Sequence, residues 1–201
     1  MTIASICVYC GSGPGTEPVF TDAAHTLGRV CAQDGVRIVY GGGSIGLMGA
    51  VSKSALAHGG RVTGIIPRFL MNRERPEENG KELIITADMH ERKRLMFEQS
   101  DAFVALPGGL GTLEETVEVM TWAQIGNHTK PILLANIGRF WNPLLDLLDH
   151  MRCFQFIRVE LTIDPLVANR AEDILPILRG EMEGRASIVN GKRDAQVIKN
   201  F

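Results

Sequence analysis

Two short stretches carry residue types suited to chemistry as well as packing. Residues 106–115 read LPGGLGTLEE, with three glycines and a proline where the apolar run DAFVA ends. Two glutamates follow where a helix-like run, TLEETVEVMTWAQ, begins. Glycines between a strand and a helix open the backbone N–H groups of the helix start to an anion, a good receptor for phosphate. Glutamates at the same place repel an anion, so the stretch asks for an arrangement that needs both. The second stretch is DMHERKR, residues 88–94. Asp88 and Glu91 have the spacing of a helix-capping pair, yet Arg92, Lys93 and Arg94 crowd the same turns. Cations at a helix N-terminus oppose the macrodipole at roughly 0.3–1 kcal/mol each. Arg92 shares a helical face with Met89, Leu95 and Met96. An arginine on a largely apolar face calls for an acidic or phosphate partner, and an anionic ligand accounts for the whole cluster.

The bland readings have mechanisms too. Thr112 and Glu115 have capping-box spacing, with Thr112 as the N-cap, and spacing alone leaves that reading level with a functional one. The extra glycines on the strand side and the DMHERKR cluster tilt the balance towards function. A further loop, GGGSIG at 41–46, matches G-x-G-x-x-G letter for letter. It follows the second strand rather than the first, and the next strand ends in GIIPRF with no acidic residue to hold a ribose. Both features argue against a dinucleotide-dependent oxidoreductase.

The elements that must position these loops follow from periodicity. Short β-rich runs at 5–10, 37–41, 61–67, 82–87, 101–107 and 131–137, with a weaker one at 161–164, alternate with helix-like segments. The helices are expected near 18–33, 46–58, 89–99, 112–125, 142–152 and 171–179. Strands apolar on both faces and separated by helices predict an α/β fold. We expect a Rossmann-like, doubly wound parallel sheet of about seven strands with helices on both faces. The glycines then fall beyond the carboxyl ends of the strands, where such sheets bind ligands. One domain is expected over 1–180, with a tail at 181–201 that wanders or packs on a partner subunit. Residues 69–81, FLMNRERPEENGK, read as a polar loop or lid over the site.

With 201 residues, 45% of them hydrophobic, the chain can build a full core. A net charge of −2 gives no reason to expect nucleic acid or an anionic membrane as partner. The first residues lack signal-peptide features, and no apolar run is long enough for a membrane span. Cys7 and Cys10 spell C-x-x-C, but residues three apart in a strand point to opposite faces. We therefore expect the four cysteines, with Cys31 and Cys153, to be core thiols in a reducing cytoplasm. No metal-ligand cluster stands out.

The motifs resemble one family. PGGLGTLEE matches the P-G-G-x-G-T-x-x-E signature of the cytokinin-activating "lonely guy" phosphoribohydrolases. DMHERK precedes it at the family's separation, and CVYCGSG, YGGGSIGLMG and TWAQIGNHTKP also match, from about residue 4 to residue 152. The resemblance implies cleavage of the N-glycosidic bond of a nucleoside 5′-monophosphate, releasing adenine or an N6-substituted adenine plus ribose 5-phosphate. By position it implies Arg92 and Glu115 as the catalytic pair, and Gly109, Gly111 and Thr112 as the phosphate cradle. Further substrate contacts are implied at Gly108, Leu110, Leu113 and Glu114 and at Glu74, Lys93 and Thr121. Around Glu74 the chain reads NRERPEENG and departs from the family's usual wording. The family needs no metal or cofactor, and the resemblance implies a homodimer with sites near the interface. "Lysine decarboxylase", a name sometimes attached to such chains, finds no lysine in a recognisable pyridoxal phosphate context. The opening question then has an answer: glycines for the phosphate, a carboxylate for the cation that develops at the ribose. A non-catalytic nucleotide carrier or sensor of the same fold is the alternative, and it could dispense with Glu115 or Arg92.

Overall fold

A computed structural model describes residues 2–74, 80, 82–157 and 164–184. Seven parallel strands form one sheet in the order β4-β3-β2-β1-β5-β6-β7. They are β1 (Ser5–Tyr9), β2 (Arg37–Tyr40), β3 (Val62–Pro67), β4 (Glu82–Thr86), β5 (Ala102–Ala105), β6 (Ile132–Ala135) and β7 (Leu166–Ala168). The helices are α1 (Pro18–Gln33), α2 (Gly46–Ala57), the single turn α3 (Met71–Glu74), α4 (Met89–Glu98), α5 (Leu110–Gln124), α6 (Asn142–Cys153) and α7 (174–184). The doubly wound arrangement expected from the strand–helix alternation is what the chain forms.

The pleat explains the two layers. Along β1, Ile6 and Val8 face a core shared with Leu27 of α1, Val51 of α2 and Leu175 of α7. Cys7 and Tyr9 face a second core with Met96 of α4 and Val119 of α5. Cys7 and Cys10 thus fall in different clusters, as their spacing requires. Cys31 is buried as well, but Cys153 is exposed, contrary to expectation. It ends α6, a helix with no fully buried residue, so the end of α6 lies outside the core.

Three further expectations need correction. The seventh strand is Leu166–Ala168, in register with Leu133–Ala135 of β6. Of the 161–164 run expected instead, 161–163 lie outside the described residues and Asp164 precedes the strand. A three-residue edge strand has too few positions to leave a period of two. The stretch 69–81 contains a 3₁₀ turn (Arg68–Leu70) and α3, while 75–79 and 81 lie outside the described residues. The helix expected to end at 179 runs to 184, and Met182 packs on the first core cluster. Among the described residues no helix is long and apolar enough to cross a membrane.

The strand order reverses between β1 and β5, which opens a crevice beyond their carboxyl ends. The two loops there are tied: Gly11 N donates to Pro107 O at 3.1 Å, and Leu47 N donates to Gly11 O at 3.1 Å. Behind them, α1 and α2 cross closely at Gly28. A Cβ there would meet the Val51 carbonyl oxygen and, at 2.9 Å, the Ala55 N. Backbone cannot yield as a flexible side chain does. Overpacking of this kind costs about 1–3 kcal/mol, against a helix-propensity gain of about 1 kcal/mol from Ala. We expect Gly28→Ala to lower the Tm by roughly 3–8 °C. Calorimetry showing an equal or higher Tm would refute the close crossing.

Candidate active site

Arg92 and Glu115 approach each other across α4 and α5. Local capping sets α4: the Asp88 carboxylate accepts from Glu91 N at 2.9 Å, and the Glu91 carboxylate accepts from Ala87 N at 2.7 Å. This fixes the first turn and turns Arg92 inward, where its side chain is 11% exposed. Its Nε donates to the Ile65 carbonyl of β3 at 3.1 Å, and Nη1 lies 3.4 Å from Oε1 of Glu115. A Cβ on Gly41 would fall on the guanidinium, so the glycine after β2 makes room for the arginine. Arg94, two residues on, instead pairs with Glu98 on the surface at 3.3 Å.

Glu115 is not a capping residue. The N-cap of α5 is Gly109, with no side-chain cap, and Thr112 lies inside the first turn. The capping-box alternative therefore fails, because the helix starts two residues earlier than expected and carries Glu115 onto its buried face. Burial raises the Glu115 pKa above the usual carboxylate value, and the Arg92 charge offsets only part of that rise.

The start of α5 opens into a cleft of about 250 Å³ between α4, α5 and the ends of the strands. Leu113 N is bonded to Gly109 O at 3.0 Å, so the N–H groups before it precede the first helical bond. A Cβ on Gly109 or Gly111 would meet nothing within 4 Å, and both glycines line the cleft. Gly108 serves packing: a Cβ there would strike the Thr112 side chain and, at 2.9 Å, Gly11 N. Thr112 itself is buried. Leu110 stands at the mouth, 86% exposed.

The remaining residues singled out in the sequence divide. Glu74 lines the cleft, and its Oε2 is buried without a hydrogen-bond partner among the described residues. Its backbone is fixed by Ser44 N, which donates to Glu74 O at 3.1 Å. Glu114 lines the cleft from the solvent side. Lys93 turns away, its Nζ 2.7 Å from Glu114 and 2.8 Å from Glu118. Burial opposes the charged ammonium, but these two carboxylates outweigh it and raise the Lys93 pKa. Leu113 packs towards Trp141 in a small core cluster. Thr121 lies on the outer side of α5, where its hydroxyl donates to Val117 O at 2.8 Å, in a separate groove of about 160 Å³ facing α6.

The cleft also contains residues that sequence reasoning gave no role: Tyr9, Cys10, Met48 and Met89. Met89 was visible as a face-mate of Arg92. Tyr9 and Cys10 read only as strand residues, because their place at the mouth depends on where β1 ends. No group of three or more metal-ligating side chains occurs among the described residues.

Comparison with known proteins places this geometry in a family. Residues 48–178 match a family model described as "Possible lysine decarboxylase". A probable cytokinin riboside 5′-monophosphate phosphoribohydrolase from Oryza sativa subsp. japonica is 45% identical over 170 residues, covering 85% of this chain and 76% of the relative. A cytokinin riboside 5′-monophosphate phosphoribohydrolase from Arabidopsis thaliana is 52% identical over 145 residues, 72% of this chain and 66% of the relative. The chain thus spans about three quarters of the first and just under two thirds of the second. A molybdenum cofactor binding protein from Rippkaea orientalis shares the fold with a TM-score of 0.66 at 23% identity, over 90% of this chain and 99% of that one. Given the identity to the plant enzymes over most of its length, the chain belongs to the cytokinin riboside 5′-monophosphate phosphoribohydrolase family.

Proposed function

We propose that this protein hydrolyses the N-glycosidic bond of adenosine 5′-monophosphate, plain or N6-substituted, to the free base and ribose 5-phosphate. The observation that carries the reading is the buried Arg92–Glu115 pair, 3.4 Å apart, beside an unobstructed helix start. The backbone N–H groups of residues 110–112 and the Thr112 hydroxyl receive the 5′-phosphate. This places the ribose over Glu115. As the bond from C1′ to the base nitrogen breaks, positive charge builds on the ring, and the ionised carboxylate stabilises it and orients the attacking water. The water oxygen bonds to C1′, and one of its protons leaves with the base. Arg92 keeps its proton and holds Glu115 and the substrate in register. The unpartnered Oε2 of Glu74 accepts from a donor on the substrate. A decarboxylase using pyridoxal phosphate needs a neutral lysine amine; among the described residues no lysine lines the cleft, and Lys93 beside it is held protonated by two carboxylates.

We also propose a homodimer through the outer face of α5 and α6. Phe154 and Phe156 are 64% and 84% exposed there, next to the groove lined by Val117, Thr121 and Met151. Apolar side chains gathered at one groove mark an association surface, and Thr121 would be covered by it. Sedimentation at micromolar concentration should give twice the chain mass, and Phe156→Asp should shift it towards one. A monomeric wild type removes this part of the reading.

Two kinetic outcomes test the site. A carboxyl whose pKa is raised in the fold binds its proton more tightly there than in the unfolded chain. Above both pKa values the ionised form therefore costs stability. Glu115→Gln removes that cost and also the carboxylate partner of Arg92, two opposing effects, so we expect a folded protein of near wild-type Tm with turnover at least about 100-fold lower. In the wild type, kcat should fall as pH drops through a pKa above the ordinary carboxylate value of about 4.3. Wild-type turnover in Glu115→Gln would end the catalytic assignment. The phosphate gives the second outcome. A nucleoside leaves the donors at 110–112 without a partner, at about 1–3 kcal/mol each. Chromatography of released adenine should give kcat/KM for adenosine at least about 100-fold below that for AMP. Comparable values mean that α5 holds no phosphate.

A further inference from the structure

We infer that Lys93 is a positioning residue: its positive charge partly offsets Glu114 and Glu118, and so lets the third carboxylate of that turn, Glu115, carry its negative charge in the cleft. The inference rests on the proposed role of Glu115. It departs from the substrate contact that the sequence resemblance gives Lys93.

The geometry is specific. Glu114 immediately precedes Glu115 on α5, and Glu118 follows it by three, one turn away. Three carboxylates therefore crowd one side of one turn, and α4 faces them with adjacent cations. Arg92 meets Glu115 at 3.4 Å. Lys93 meets the other two at 2.7 and 2.8 Å, with its own side chain 15% exposed. β1 and Cys10 after it add no charge of either sign: Cys7, Tyr9 and Cys10 cannot be cations, and burial keeps them protonated. Glu74, across the cleft, adds another carboxylate. An ammonium has three N–H donors, and the two carboxylates engage it on the α5 side. To reach a phosphate in the cleft it would have to leave them, exposing two uncompensated charges beside the very group that must stay ionised.

The sign follows from the arrangement. Without Lys93, Glu114 and Glu118 disfavour the ionised form of Glu115, while both lysine and glutamates lie near solvent and are partly screened. We expect Lys93→Met to move the acidic limb of kcat upward by roughly one pH unit. Turnover below the limb should then fall about tenfold, with little change in KM for AMP. Adding Glu114→Gln and Glu118→Gln to Lys93→Met should return the limb to near its wild-type position. Glu118→Gln alone, which leaves one carboxylate against the ammonium instead of two, should move it downward and provides the reading if Lys93→Met does not fold. A raised KM with an unmoved limb, or a triple variant that recovers nothing, would overturn the inference in favour of a direct phosphate contact. These outcomes are separable from failure of the underlying reading, in which Glu115→Gln would keep wild-type turnover. In that case the limb cannot be assigned to Glu115, and the inference falls with the reading.

Discussion

An arginine held between a strand carbonyl and a buried carboxylate is the constraint around which the rest of this molecule is arranged. The Arg92 guanidinium donates to Ile65 O and lies beside Glu115, with little water near either. Buried charges are tolerated only when paired and hydrogen-bonded. That condition fixes the relative placement of β3, α4 and α5, which supply the three groups. It also reaches into the loop after β2, because only a residue without a Cβ fits against the guanidinium at Gly41. The pairing remains imperfect, since burial still outweighs Arg92 and keeps the Glu115 pKa high. In the reaction we propose, a carboxylate held at such a cost is available to the developing cation, which repays more than a resting partner does.

The glycines divide by the constraint each answers. Gly41 and Gly108 are excluded-volume positions, where a side chain would strike Arg92 or Thr112. Gly109 and Gly111 have open space before them, so packing gives no reason for their missing side chains. The phosphate approach we propose at the helix start does. Gly46, with φ +57, turns the chain into α2 where a side chain would collide with the Ser12 backbone. One letter in the sequence thus stands for steric fit, for ligand approach and for backbone conformation.

Charge pairing ties α4 to α5 beside the cleft. Glu114, Glu115 and Glu118 would repel one another on a bare helix. Arg92 and Lys93, adjacent on α4, relieve that repulsion, Arg92 at Glu115 and Lys93 at Glu114 and Glu118. Of the cations that looked unfavourable at the start of α4, Arg92 and Lys93 make sense as the complement of an acidic helix, with the dipole penalty of about 0.3–1 kcal/mol per cation offset by close ion pairs.

Much of this was legible in the sequence. The alternation of apolar strands with helical segments determined the doubly wound sheet, because parallel strands buried on both faces leave that pattern and few other folds do. The Cys7–Cys10 spacing determined that the pair could not act together. The apolar neighbours of Arg92 determined that it needed an anionic partner. Tertiary structure decided which anion: Glu115, brought in from 23 positions along the chain. It decided that Lys93 belongs to α5 rather than to the cleft, and that Thr121 faces another groove. It also decided that α5 begins at Leu110, which turned Glu115 from a possible cap into a buried acid. Periodicity reports which face of an element is apolar, a local property carried by the element itself. Which faces meet, and which of several neighbouring charges becomes the partner, depends on distances between elements that no local pattern encodes.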